Sequence, residues 1–272
     1  MARADSLGFD RYWVGEHHLP GYASASPEAL IAAGLQNTRS IRLGSGALLL
    51  GYRDILRVAL DFRTLSAFGN RVDLGIGRGR ADRQANHLWL SASRPEWTEE
   101  GLFPEDAYRA RATQLVALLR GEAAGVSCLP EDAPQPELWI CGAERSATLA
   151  AELGAAFCYT LFHPGKKRSD VLQRYRSEFR ARHPELTPCA AIALAGSVTS
   201  TDQEAEQLRA AHRYLAYWPD IVAPVEAAAD ELHTLCGLHA PDELLWLDIA
   251  VNTDRRLASM ERLAQIGQKS RA

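Results

Sequence analysis

The chain has 272 residues, 47% of them hydrophobic and 24% charged, and a net charge of -4 at pH 7. These proportions are ordinary for a globular protein, and the slightly acidic balance gives no support to binding of nucleic acid or of an anionic membrane. No stretch approaches the roughly 18 apolar residues of a membrane span, and the N-terminus lacks the regions of a signal peptide, so we expect a cytoplasmic protein.

Apolar runs alternate with segments of helical periodicity along the whole chain. Seven strands are predicted, at residues 11–14, 41–50, 72–77, 137–141, 156–162, 190–198 and 244–251. Eight helices are predicted, at residues 27–37, 55–68, 105–120, 144–153, 170–182, 202–217, 225–235 and 254–266. This alternation is typical of parallel βαβ units, whose near-continuously apolar strands are covered on both faces.

The strand count indicates an α/β fold, a (β/α)8 barrel of the TIM type that lacks its first strand and most of its first helix. Residues 2–7 are interpreted as the end of that first helix, and one strand before it would complete eight units. Two explanations are open: a truncated start, or a barrel with an open seam. Truncation is favoured because unpaired strand edges promote aggregation. No linker or repeat divides the sequence, so residues 1–272 are predicted to form a single barrel domain.

The first candidate site is the run Glu16, His17 and His18, which directly follows the predicted strand 11–14. Histidine has the side-chain pKa nearest neutral pH, so a pair at a strand end suits proton transfer or oxyanion stabilisation. Active sites of TIM barrels lie at the C-terminal ends of the strands, which favours a catalytic role. The alternative is that these three polar side chains are satisfied by neighbouring backbone groups.

Two further strand ends suggest a phosphate site. After strand 72–77 comes a loop rich in glycine and arginine, in which Arg78 offers a planar fork suited to bidentate contact with a phosphate. Strand 137–141 runs into a helix whose first turn presents backbone N–H groups and the positive end of the helix dipole. We expect both to grip one phosphate; the alternatives are a turn with surface arginines and an ordinary βα turn. The helix start comprises Gly142, Ala143 and Ser146.

Other polar residues carry less information. Residues 83–104 form a long excursion that is predicted to shape a substrate pocket. No spacing of Glu, His and Cys is typical of a metal site, so no metal is predicted. The five cysteines have no close pairing, and three of them are interpreted as small core residues. Those three are Cys141, Cys158 and Cys189; the dispersed histidines, interpreted as surface or cap residues, are His163, His183, His212, His233 and His239.

Several motifs at matching spacing resemble the bacterial luciferase-like flavin monooxygenases. The resemblance covers nearly the whole chain in order, and it is more specific than any one motif. The motifs are R-Y-W-V-G-E-H-H at 11–18, S-P-E-A-L-I-A-A at 26–33, T-R-S-I-R-L-G-S-G-A-L-L-L at 38–50, D-F-R-T-L at 61–65, R-V-D-L-G-I-G-R-G at 71–79, W-I-C-G-A-E-R-S-A-T-L-A-A-E-L-G at 139–154 and R-L-A-S-M-E-R-L-A at 256–264.

The resemblance implies an enzyme that binds reduced FMN (FMNH2), supplied by a separate flavin reductase, and that uses dioxygen to oxidise a small organic substrate. The substrate class implied is an aldehyde or a biosynthetic intermediate. Some members of the family use the deazaflavin F420 instead of FMN. Homodimers are common in the family. An F420-dependent oxidoreductase and a non-catalytic flavin-binding paralogue therefore stay open as alternatives.

The resemblance also implies roles for individual residues. His17 matches the family's catalytic histidine, and Arg78 matches its phosphate-binding arginine. The segment Gly46 and Ala47 matches a place where the family often has a non-prolyl cis peptide beneath the flavin ring. The phosphate-binding helix start of the family matches Gly142, Ala143 and Ser146.

Three positions depart from the family pattern. Ala143 stands where serine is frequent, so one hydroxyl toward the phosphate is missing and flavin affinity is expected to be lower. Ile55 replaces a frequent proline. Leu60 replaces a glutamate on a helix that often lies near the dimer interface.

Overall fold

A computed structural model describes residues 1–18, 24–79, 103–163, 167–211, 219–250 and 252–271. Within these ranges parallel strands alternate with helices. Contacts divide the chain into two compact units, residues 1–5 with 10–141 and residues 6–9 with 142–272. The prediction of a single domain stays a prediction.

The first unit contains four parallel strands in the order β1-β2-β3-β4. Asp54 caps the helix α3 by accepting a hydrogen bond from Arg57 N at 2.9 Å, which satisfies one of the helix's unpaired N–H groups. A 3-10 turn, Leu50–Tyr52, joins β2 to that cap. The elements are α1 (Ala2–Ser6), β1 (Arg11–Val14), α2 (Pro27–Asn37), β2 (Arg42–Leu49), α3 (Ile55–Ala67), β3 (Val72–Gly77), α4 (Glu105–Arg120) and β4 (Glu137–Gly142).

A charged cluster joins the N-terminal ends of these strands. The Asp73 carboxylate is fully buried and accepts hydrogen bonds from Arg11 at 2.8 Å, from Arg42 at 2.7 Å and from the Trp13 indole at 2.9 Å. Arg11 also reaches Glu137 at 3.0 Å. Because a buried carboxylate is stable only with such partners, the cluster fixes the strands at the end opposite the candidate site.

The second unit is organised around β6, the longest strand described. This strand pairs in parallel with β5 on residues 190–193, with β8 on residues 191–196 and with β7 on residues 196–199. The elements are α5 (Glu144–Leu153), β5 (Ala156–Thr160), α6 (Val171–Arg182), β6 (Ala190–Thr199), α7 (Asp202–Ala211), β7 (Ile221–Pro224), α8 (Val225–His239), β8 (Glu243–Asp248) and α9 (Thr253–Arg271).

All seven predicted strands are present, and three helices match their predicted bounds at both ends, α2, α4 and α5. The strand β7 was not predicted, because it is a four-residue run that passes directly into α8. The predicted helix 202–217 is described only as far as Ala211, since residues 212–218 lie outside the described ranges. In the described part of the chain, no helix is long and apolar enough to cross a membrane.

The burial of several cysteines and histidines differs from the prediction. Cys158 is buried as expected, whereas Cys141 and Cys189 are only half-buried. His183 lies at the C-cap of α6 and is a cap residue as expected. The prediction for His239 was wrong: its side chain is 4% exposed, at the end of α8, and packs edge-on against the Tyr159 ring.

Candidate active site

The candidate site of the first unit forms where β1 and β2 end. Parallel pairing in register places Val14 opposite Ser45, so the residues that follow β1 lie beside the end of β2. Glu16 N donates to Ala47 O at 3.2 Å, and His17 N donates to Ser24 O at 2.8 Å. These backbone bonds fix the path of the chain through Glu16 and His17.

Gly46–Ala47 is a cis peptide bond, as the resemblance predicts. It lies in a bulge of β2, because the pairing with β3 shifts by one residue between Ser45 and Leu48. Bulges are frequent beside active sites, where they redirect side chains. A Cβ atom added to Gly15 would lie 3.4 Å from both Gly46 O and His17 Nε2, so the imidazole edge and this carbonyl flank the same glycine.

Glu16 is an anchor between the two strand ends. Its side chain is fully buried and accepts a hydrogen bond from Leu49 N at 2.8 Å. Arg53 Nε donates to its Oε1 at 3.0 Å, and His18 Nε2 lies 2.7 Å from the same oxygen. With its carboxylate engaged by these partners, Glu16 positions its neighbours.

Arg53 is a residue that the sequence analysis missed. It stands between an apolar strand and a helix cap and belongs to none of the motifs quoted above. Only the spatial approach of the two strand ends reveals its contact with Glu16. The neighbouring Tyr52 ring stacks on the His18 imidazole, with centroids 4.8 Å apart and an interplanar angle of 18°.

The surroundings of His17 favour the neutral form of its imidazole. Burial lowers the pKa of the His17 imidazole below its ordinary value near 6.5, the nearby His18 lowers it further, and the Glu16 carboxylate opposes both effects. A neutral imidazole at neutral pH is able to accept a proton. Of the three residues predicted as catalytic, His17 therefore has the properties of a proton acceptor, whereas the side chains of Glu16 and His18 hold each other.

Arg78 follows β3 at the same end of the first unit. Its Nη1 donates to Glu105 Oε2 at 2.7 Å, and both side chains are 32% exposed. Gly79 has a positive φ of +91°, and a Cβ there would lie 3.3 Å from Leu49 Cβ and 3.6 Å from the Tyr52 ring. The loop that carries Arg78 thus packs against Leu49 and Tyr52, the residues that contact Glu16 and His18.

The start of α5 belongs to the second unit. Gly142 has a φ of +158°, a backbone conformation that glycine adopts more readily than other residues, and it lies directly against the Ser146 side chain. The N-cap residue Ala143 makes no side-chain cap bond, and Ser146 N donates to Ala143 O at 2.9 Å. The structure brings these three predicted residues together, and the N–H groups and hydroxyl of this first turn are donors that fit a phosphate.

The model of one protein family, described as "Luciferase-like monooxygenase", matches residues 1–243. The chain belongs to the luciferase-like monooxygenase family. Among its relatives, the uncharacterized protein YwcH of Bacillus subtilis is 31% identical over 216 residues, 76% of this chain and 63% of that protein. A luciferase-like monooxygenase of Escherichia coli is 30% identical over 210 residues, 75% of this chain and 61% of that protein. The chain thus spans less than two thirds of the length of these relatives.

Solved structures share the fold of this chain. The crystal structure of apo-MsnO8 is 27% identical and has a TM-score of 0.85, covering 98% of this chain and 90% of that one. An FMN complex of the oxygenating constituent of a diketocamphane monooxygenase from Pseudomonas putida has a TM-score of 0.70 at 18% identity, covering 97% and 90%. An F420-dependent secondary alcohol dehydrogenase has a TM-score of 0.70 at 17% identity, covering 97% and 91%. These matches confirm the predicted fold class, a TIM-type luciferase-like fold that lacks part of the barrel.

Other predictions for this luciferase-like chain lie beyond the described residues. Most of the excursion 83–104 falls in residues 80–102, outside the described ranges. Within those ranges, no group of three or more His, Cys, Asp or Glu side chains could hold a metal ion.

Proposed function

We propose that this chain is a flavin-dependent monooxygenase that uses reduced FMN and dioxygen to oxidise a small organic substrate, an aldehyde or a biosynthetic intermediate. The observation that carries the proposal is His17, a half-buried imidazole of lowered pKa that flanks Gly15 together with the Gly46 carbonyl, where β1 and β2 end. Family membership and the FMN-bound neighbour of the same fold support it.

In this proposal the reduced flavin, when bound, supplies the electrons that activate dioxygen. His17 Nε2 accepts, holds and returns the proton that moves during oxidation. Glu16 and His18 keep the imidazole in position through their bonds at the ends of β1 and β2.

Phosphate binding is assigned to two groups. Arg78 supplies a guanidinium in the first unit, and Glu105 fixes one of its nitrogen atoms. In the second unit, Gly142, Ala143 and Ser146 supply the first turn of α5, whose N–H groups suit an anion. That both groups hold one phosphate stays a prediction, as do the homodimer, the separate flavin reductase and the cytoplasmic location.

The test is an anaerobic titration of the chain with FMNH2, followed by mixing with air-saturated buffer. We expect saturable binding and a change in the rate of flavin reoxidation relative to free FMNH2. In a His17→Asn variant, binding should stay while reoxidation returns toward the rate of free FMNH2. Absence of binding by FMN and by FMNH2 would contradict both the proposal and the alternative of a non-catalytic flavin-binding paralogue.

The second candidate is an F420-dependent oxidoreductase that transfers a hydride without oxygen. The F420-bound neighbour, which matches this chain with the same TM-score as the FMN-bound one, favours it. Titration with reduced F420 in place of FMNH2 separates the two functions. Tight binding of F420 without oxygen consumption would support this candidate over the monooxygenase.

A further inference from the structure

We propose that Arg53 is a positioning residue of the active site, which orients His17 by holding Glu16. The proposal rests on the proposed function, because it assumes that His17 is the residue that moves a proton. It assigns a role to a side chain that none of the sequence motifs contains.

Arg53 pairs with a buried charge. Arg53 Nε lies 3.0 Å and Nη2 lies 2.9 Å from Glu16 Oε1, and the Glu16 side chain is fully buried. A carboxylate removed from water is strongly destabilising unless a cation and hydrogen-bond donors compensate it. Arg53 supplies both, because its planar fork places two donors on one oxygen.

Arg53 is itself held from several sides. Its Nη2 donates to Ala25 O at 3.2 Å, and Nη1 lies 3.4 Å from Glu28 Oε1 in the first turn of α2. Arg111, on α4, donates to the Arg53 carbonyl. The guanidinium is thus fixed by residues at and just before the start of α2, and the backbone of Arg53 is fixed by α4.

The residues around His17 are fixed by a short neighbouring segment. Its neighbours on both sides are held by one segment, residues 49–53: Leu49 N and Arg53 bind Glu16, and the Tyr52 ring stacks on His18. The backbone N–H of His17 is occupied by Ser24 O. The backbone N–H of His17 and the side chains on both sides of it are therefore fixed, and those two side chains are held by the segment that Arg53 ends.

The experiment compares Arg53→Met and Arg53→Lys with the control Arg57→Met. Arg57 lies on α3, and its side chain is 72% exposed. Its Nη2 lies 3.0 Å from Asp61 Oδ1 on the same helix. We expect Arg53→Met to lower turnover by about 100-fold, the scale at which a misplacement of about 1 Å slows catalysis, and to change the FMN dissociation constant much less. Arg53→Lys should restore part of the rate, because it keeps the charge but not the fork.

A second measurement does not depend on activity. The imidazole resonances of His17, followed by NMR in the purified chain, should move in Arg53→Met and in Glu16→Gln and stay unchanged in Arg57→Met. If Arg53→Met does not fold, Arg53→Lys and Glu16→Gln supply the same readout.

The proposal is overturned if the His17 resonances do not move and turnover falls only in proportion to the fall in Tm. Arg53 would then have a purely structural role. If FMN and FMNH2 do not bind even to the wild-type chain, the proposed function fails. The His17 resonances still decide whether Arg53 orients the imidazole.

Discussion

At the scale of single residues, the three consecutive polar side chains after β1 have different environments. Glu16 is fully buried and bonded to two strand ends, His18 is stacked and bonded to Glu16, and the His17 imidazole flanks the cis peptide. The sequence alone predicts all three as one catalytic group, because it shows their types and not their partners. The partners Leu49 and Arg53 lie more than thirty positions away along the chain.

The lowered pKa of His17 predicts the pH dependence of activity. A proton acceptor works only when neutral, so activity should be lost as pH falls through the lowered pKa of His17. The acid limb of kcat should therefore lie below about 6.5, the ordinary histidine value. The measurement is the pH profile of flavin reoxidation or substrate turnover, and His17→Asn should lower the rate and remove this limb. An unchanged limb in that variant would assign it to another group.

If Arg78 binds the phosphate, its substitution should weaken the binding of FMN and not the binding of riboflavin, which lacks the phosphate. Arg78→Met should weaken FMN binding by about tenfold, since a partly exposed charge-assisted hydrogen bond contributes about 1.5 kcal/mol. Binding of riboflavin should stay the same, which fluorescence titration measures. The control Arg57→Met should bind both flavins as the wild type does. Equal weakening of both flavins by Arg78→Met would mean that Arg78 does not contact the phosphate.

At the scale of elements, the strands and most helices are predictable because their apolar periodicity is continuous. The missed strand β7 has only four residues, and its pairing with the last part of β6 is a tertiary feature. The cis peptide and its bulge leave no periodic signal, so only the family resemblance predicts the cis peptide. Register across parallel strands, which places the site residues together, is likewise set by packing over long sequence distances.

At the junction of β6 with β7, we expect a single added methyl group to lower the free energy of unfolding strongly. A Cβ on Gly196 would lie 2.0 Å from Ile221 O and 2.8 Å from the Trp246 ring, so Gly196→Ala must displace the backbone of β7. We expect a loss of several kcal/mol in the free energy of unfolding, measured by denaturant titration. The matched control is Gly237→Ala in α8, where nothing lies within 4 Å. That change should stabilise the helix by about 0.5–1 kcal/mol; equal effects of the two would contradict the packing argument.

At the scale of the whole molecule, the family and the fold class follow from motifs spread over nearly the full sequence. The substrate does not, because the residues predicted to shape its pocket carry no chemical pattern that names a ligand. The helices at which Ala143, Ile55 and Leu60 depart from the family pattern are both formed.

The predicted homodimer can be tested on α2 and α3, which pack together. Two large apolar side chains on these helices are exposed, Leu30 to 38% and Leu56 to 39%. If this face joins two copies, Leu56→Glu places a charge in the interface and should shift the chain toward monomer in sedimentation velocity. Leu129→Glu, at a 57% exposed position outside these helices, is the control. A wild-type chain that sediments as a monomer would contradict the prediction.

The ten-residue strand β6 changes neighbours along its length, and this divides its amides into two classes. Ala191 to Ala193 lie between β5 and β8, whereas Ser197 to Thr199 pair only with the short β7 among the described strands. Val198 N donates instead to Ser259 Oγ at 2.9 Å, a side chain of α9. Exchange with deuterium should therefore be uneven within one strand: slow over its first half and faster over its second, where β7 and α9 can detach without opening the rest of the sheet.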